Sequence, residues 1–255
     1  MNYYLKNSLI FGSLLAASPL QAATIFSQAS PAAWETSTDW NGGVIPGTTL
    51  GVADIAGVNA GRSLTLSSNA AGAGTISNMT VANQNPGAAI SFFTMTSTAV
   101  LSSTNLFIGA NGSPGSFIYH DGASLSTSGS ILMGRPNDTN GTPESSEITF
   151  VLGVTGLTVP ISTTTLSLRQ EFADQKLIID ASSYTGGAAD IDLITFTNHS
   201  GGDFNSVTVT GLNPALSSAV SYDAGSVTLN LTAVPEPSSI ALLALGGLGL
   251  IRRRR

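Results

Sequence analysis

The chain has 255 residues; only 9% are charged and none is cysteine, where soluble domains usually carry about 25% charged residues. This excludes thiolate catalysis and cysteine-based metal sites, and it is unlike a helical cytosolic enzyme, whose helix surfaces need Glu, Lys and Arg. Between the termini, Arg62, Arg135, Arg169 and Lys176 stand against fourteen acidic residues, a balance near −10 that leaves nucleic acid no surface to bind.

At 42% hydrophobic the chain is too apolar for disorder. Its Ser, Thr and Gly-rich texture with regularly placed apolar residues reads as extended β structure. Residues 1–22 read as a signal peptide for signal peptidase. One charge at Lys6 precedes an apolar run from Leu9 to Ala17, Pro19 ends the helix, and small residues follow. The cut falls after Ala22 or Ala23, with an imperfect A-x-A fit because Leu20 or Gln21 occupies the third position back.

Trp34 and Trp40, the chain's two tryptophans, come next. A solenoid needs its open end covered, and two large rings suit a cap; the competing reading is an aromatic platform for stacking sugars. A faint repeat follows. Ala99 to Gly109 matches Ala123 to Gly134, with one extra residue in the second copy. Leu101 to Leu125 is 24 positions, Gly109 to Gly134 is 25, and Ile76 lies 25 before Leu101. Such a period predicts an all-β fold, a right-handed parallel β-helix over residues 23–169 with Leu, Ile, Val and Phe stacked inward. A β-sandwich with strands at similar spacing is the alternative. Local alternation, as in Leu64-Thr65-Leu66 and Leu106-Phe107-Ile108, fits both. After Arg169 the texture changes. Strand-like runs broken by Gly186-Gly187, Gly201-Gly202 and Asn213-Pro214 predict a C-terminal β cap over 170–233, or a small separate sandwich.

Few residues suggest chemistry. His120 and His199 are 79 positions apart, with no nucleophile elbow nearby. Asp190 and Asp192 share one face of a strand and could bind calcium or act as an acid–base pair, though flanking a turn is the simpler role. Asn137 to Thr142 departs from a calcium loop: counting from Asp138, Pro143 stands sixth where Gly belongs and Thr149 twelfth where Glu belongs. A polysaccharide lyase needs a base among carboxylates, and four scattered cations make that hard to assemble. Runs such as Thr94 to Thr98 and Thr163 to Thr165 could order water or glycan, or simply suit soluble strands. No catalytic, cofactor or metal residue is assigned.

Residues 234–255 make a distinct unit. Pro235, Glu236 and Pro237 cannot join a ladder or helix interior, because proline lacks an N–H and fixes φ. Ser238 or Ser239 can cap a helix. Ile240 to Ile251 is a short apolar run, below the roughly 20 residues of a confident span. Arg252, Arg253, Arg254 and Arg255 would stay cytoplasmic.

This tripeptide, apolar run and arginine cluster resemble the PEP-CTERM sorting signal. The resemblance implies transient membrane insertion by the C-terminal helix, recognition of Pro235, Glu236 and Pro237 by an exosortase-type transpeptidase, and removal of the tail. Such proteins are typical of bacteria that make extracellular polysaccharide. Trp34 to Pro46, with Asp54-Ile55-Ala56, looks like the start of autotransporter-like β-solenoid passengers found in some of them. The expectation is an exported, non-enzymatic structural or adhesive protein of the cell surface or extracellular matrix, with exopolysaccharide as a partner. A carbohydrate-binding protein is the alternative, and a polysaccharide-active enzyme a more distant one.

Overall fold

The computed structural model describes residues 24–26, 31–48, 53–59, 61–69, 75–83, 89–109, 113–134, 144–169 and 173–235. Sixteen strands lie among them: β1 (Thr24–Phe26), β2 (Ala32–Ala33), β3 (Ala53–Asn59), β4 (Ser63–Leu66), β5 (Thr75–Asn83), β6 (Ser91–Met95), β7 (Val100–Ile108), β8 (Gly115–His120), β9 (Ser124–Met133), β10 (Glu144–Val151), β11 (Ile161–Leu168), β12 (Ala173–Asp180), β13 (Ala189–Ser200), β14 (Ser206–Thr210), β15 (Leu216–Tyr222) and β16 (Ser226–Ala233). Odd strands from β1 to β13 stack in one sheet, which β16 and β15 extend; even strands from β2 to β14 stack in the other. Each coil therefore gives one strand to each sheet.

Every contact within the stack is parallel, from β1–β3 to β11–β13 and from β2–β4 to β12–β14. A sandwich of hairpins would alternate direction, so the architecture is a parallel β-solenoid. The parallel stack runs on through β12, β13 and β14. The strands expected to begin a cap at residue 170 are thus further coils, and antiparallel pairing enters only with β16 on β13 and β15 on β16. Charge near residue 170 did not mark a change of architecture, because a coil tolerates charge on its outer face.

The core consists of columns of inward side chains, one per coil. In the even sheet, Leu64, Phe93, Phe117, Ile148, Leu177 and Val207 occupy one register. Leu66, Met95, Tyr119, Phe150, Ile179 and Val209 occupy the next. In the odd sheet, Ala56, Met79, Leu106, Ile131 and Leu166 form a column that ends on His199. Burying one such side chain contributes roughly 1.5–3 kcal/mol before entropy is counted, so the columns dominate stability in a chain without disulfides.

The repeat is visible in the register. Leu101 pairs with Leu125 and Ile108 with Met133, steps of 24 and 25. The extra residue is a bulge in β9: its register shifts against β7 between Ser103 and Leu106, and against β11 between Thr163 and Thr165. Gly129 sits in that bulge, where a Cβ would come 2.8 Å from the Thr104 carbonyl oxygen. Buried positions also change phase there, from Leu101 and Ser103 to Leu106 and Ile108 in β7; a phase change in a period-two pattern means that the strand turns a corner. Asn105 holds the corner, donating to Asn78 Oδ1 at 2.9 Å and accepting the Ser130 amide at 3.0 Å. Ile76 pairs with Ser103, not with Leu101; a two-residue slip keeps the same face inward, so the expected spacing placed it on the correct side in the wrong row.

Where the odd strand hands over to the even one, polar side chains repeatedly satisfy its carbonyls: Ser91 donates to Asn59 O, Ser146 to Ile108 O and Gln175 to Met133 O. Burying these donors without partners would cost about 1–3 kcal/mol each.

Candidate functional site

The sorting motif starts where the ladder stops. The Val234 amide donates to Ala215 O at 2.8 Å, the last backbone bond of the sheet. Pro235 follows, exposed and without an N–H to continue. The motif thus leaves from the side of β15 with its first residue open to solvent. Glu236, Pro237 and Arg252 to Arg255 lie outside the described residues, as do the signal peptide and Asn137 to Thr142. Among the described residues no helix is long and apolar enough to cross a membrane; the expected C-terminal transmembrane helix falls outside them.

The tryptophans are not a sugar platform. Trp34 and Trp40 are 1% and 2% exposed, edge-to-face at 5.0 Å, with Trp40 Nε1 donating to the Trp34 carbonyl at 2.8 Å. Trp34 lies 6.0 Å from Phe93, which stacks on Phe117 at 5.5 Å. The rings therefore continue the core columns and close the N-terminal end. Glu35 fastens this closure, accepting the Ser67 amide at 2.7 Å and the Ser67 and Ser68 hydroxyls at 3.0 and 2.9 Å. Burial works against its ionisation, yet these hydrogen bonds prevail and hold its carboxyl below the ordinary range.

The acidic pair is engaged across the sheet. Asp190 accepts Asn230 Nδ2 at 2.9 Å and Asp192 accepts the Thr228 hydroxyl at 2.7 Å, each from its direct cross-strand neighbour. Both tie β16 to the stack. Lys176, which pairs with Asp174 at 3.3 Å, belongs to the other sheet. His120 ends β8, whereas His199 lies in β13 between the rings of Phe196 and Tyr222, at 5.4 and 5.9 Å. Among the described residues no three His, Cys, Asp or Glu side chains converge as metal ligands.

The threonines divide by face. Thr163 is buried and bonded to Thr127 at 2.7 Å, whereas Thr164 donates to the Ser128 carbonyl outside. Two outward rows repeat from coil to coil. Thr65, Thr94, Ile118, Thr149, Ile178 and Thr208 cross the even sheet in register. Ser102, Ser126, Ser162 and Thr195 cross the odd sheet. The solenoid also has a feature that the sequence reading missed: a groove of about 310 Å³ between β14 and β15, lined by Val207, Val209, Ser218, Ala219 and Val220. Its one sequence signal was an uncharged, unbroken Ser206-Val207-Thr208-Val209-Thr210 run.

No curated protein matches this chain, and no solved structure matches it. One family description matches, the PEP-CTERM protein-sorting motif, over residues 233–255. That span joins the end of β16 to the exposed Pro235 and the tail beyond it, so the chain is exported and associates with the cell surface through exosortase-type sorting.

Proposed function

We propose that the mature protein is a non-enzymatic structural or adhesive component of the cell surface or polysaccharide matrix, and that exopolysaccharide is its partner. The signal peptide directs export, the apolar tail helix anchors the chain transiently, and the transpeptidase releases it at Pro235, Glu236 and Pro237. The observation that carries the adhesive reading is the outward row from Thr65 to Thr208. It repeats one β-branched side chain per coil at the roughly 4.8 Å spacing of strands. Threonine hydroxyls donate and accept, while their methyls and the isoleucines offer apolar contact. A flat row of that kind suits a long, uncharged polymer better than a small substrate, which needs a concave site.

The test is retention. Thr94→Lys and Thr149→Lys place bulky charges on the row and leave the inward columns intact. Severalfold more protein should then wash from the matrix, with circular dichroism unchanged. Unaltered retention in the double variant would overturn the adhesive reading of this face.

A further inference from the structure

Among the described residues, the N-terminal end of the stack is closed by its own tryptophans, and the C-terminal end is not. In the first even-sheet column, Leu64, Phe93, Phe117, Ile148 and Leu177 are fully buried, but the last member, Val207, is 41% exposed. Val207 and Val209 keep the inward register of Leu177 and Ile179, yet they face a groove whose far wall is Ser218, Ala219 and Val220. The outer edge of β14 is paired with no strand among the described residues. It has neither the charges nor the proline with which proteins usually protect an edge.

We propose that this end is a self-association surface: two copies join by antiparallel pairing of β14 with β14 of a second copy, each covering the other's open column. The strand is chemically symmetric about its centre. With Thr208 on a two-fold axis, Val207 meets Val209 of the second copy, and Ser206 meets Thr210. The backbone phase agrees. The Ala181 amide at the end of β12 donates to Thr210 O; a strand residue's N–H and C=O point to one side and alternate along the strand, so those of Ser206, Thr208 and Thr210 face β12 and those of Val207 and Val209 face the free edge. The two Thr208 residues then form a non-hydrogen-bonded pair on the axis, and on either side of it Val207 of one copy and Val209 of the other exchange both N–H···O=C bonds.

Charge is compatible as well. Lys176 shares a row with Ser206, and Asp180 with Thr210, so antiparallel pairing sets each Lys176 in the row of the other copy's Asp180. A head-to-tail chain of copies is less suited, because the N-terminal edges β2 and β1 have only two and three residues, against five in β14.

The test uses the processed protein recovered from the medium, with mass measured by light scattering across a concentration series. The wild type should show twice the monomer mass. Val209→Pro removes one bond from each of the two pairs beside the axis and, because its N–H points away from β12, should give a monomer with an unchanged circular dichroism spectrum. Val207→Lys is the second variant, since it blocks the groove and leaves the backbone alone; it too should be monomeric. A monomeric wild type at every concentration overturns the proposal, whatever then fills the groove. So does a dimer that survives in both variants.

Discussion

The two ends of the solenoid solve one problem differently. At the N-terminal end, Trp34 and Trp40 lie over the first coil, and Glu35 pins them to the turn after β4. At the C-terminal end, the odd sheet gains two antiparallel strands through β16 and β15, while the even sheet stops at β14 with its valines partly in water. In a stack where each coil touches only its neighbours, an end coil lacks half its contacts unless something replaces them. Large rings replace them at one end. At the other, only one of the two sheets is extended, and the second keeps an edge that can still pair.

The largest test of this contrast is Trp34→Ala. It empties a fully packed site and should cost about 3–5 kcal/mol, read as an earlier urea transition in the fluorescence of Trp40. Both tryptophans sit at this end, so their emission reports it separately from far-ultraviolet circular dichroism. A variant as stable as the wild type would mean that the rings only decorate the end. At the opposite end, Val207→Ala should cost about 0.5 kcal/mol or less in the monomer, because water already reaches the side chain. A loss as large as that at Trp34 would remove the asymmetry.

The smallest effect is a pH dependence at Glu35. Its carboxyl in the folded chain lies below the ordinary value of 4.5. Its contribution is therefore complete above that value and fades as pH falls through the lowered one. Tryptophan-monitored stability should decline more steeply on acidification below pH 4.5 in the wild type than in Glu35→Gln. Parallel curves would show that the closure does not depend on this charge.

Much of this was legible in the residues, for identifiable reasons. The match of Leu101 to Leu125 exposed the coil because consecutive coils there differ by a single bulge residue. Later steps such as Ser126 to Ser162, 36 positions, hide the same repeat behind longer connections. Trp34 and Trp40 were readable as a cap because buried rings are costly to leave uncovered. Asp190 and Asp192 could be placed on one face by period two, but their use was not readable: Thr228 and Asn230 reach them from a strand more than thirty residues away.

By itself the sequence determined what depends on local chemistry. Its low charge and alternation specified strands, and the residues around Pro235 specified a break and a sorting signal, since proline ends a ladder whatever surrounds it. Tertiary structure decided what depends on which strand lies next to which. Parallel pairing continues past residue 170, the two sheets end at different coils, and Val207, as apolar as Leu177 above it, stays partly exposed because among the described residues no further strand follows β14 in its sheet.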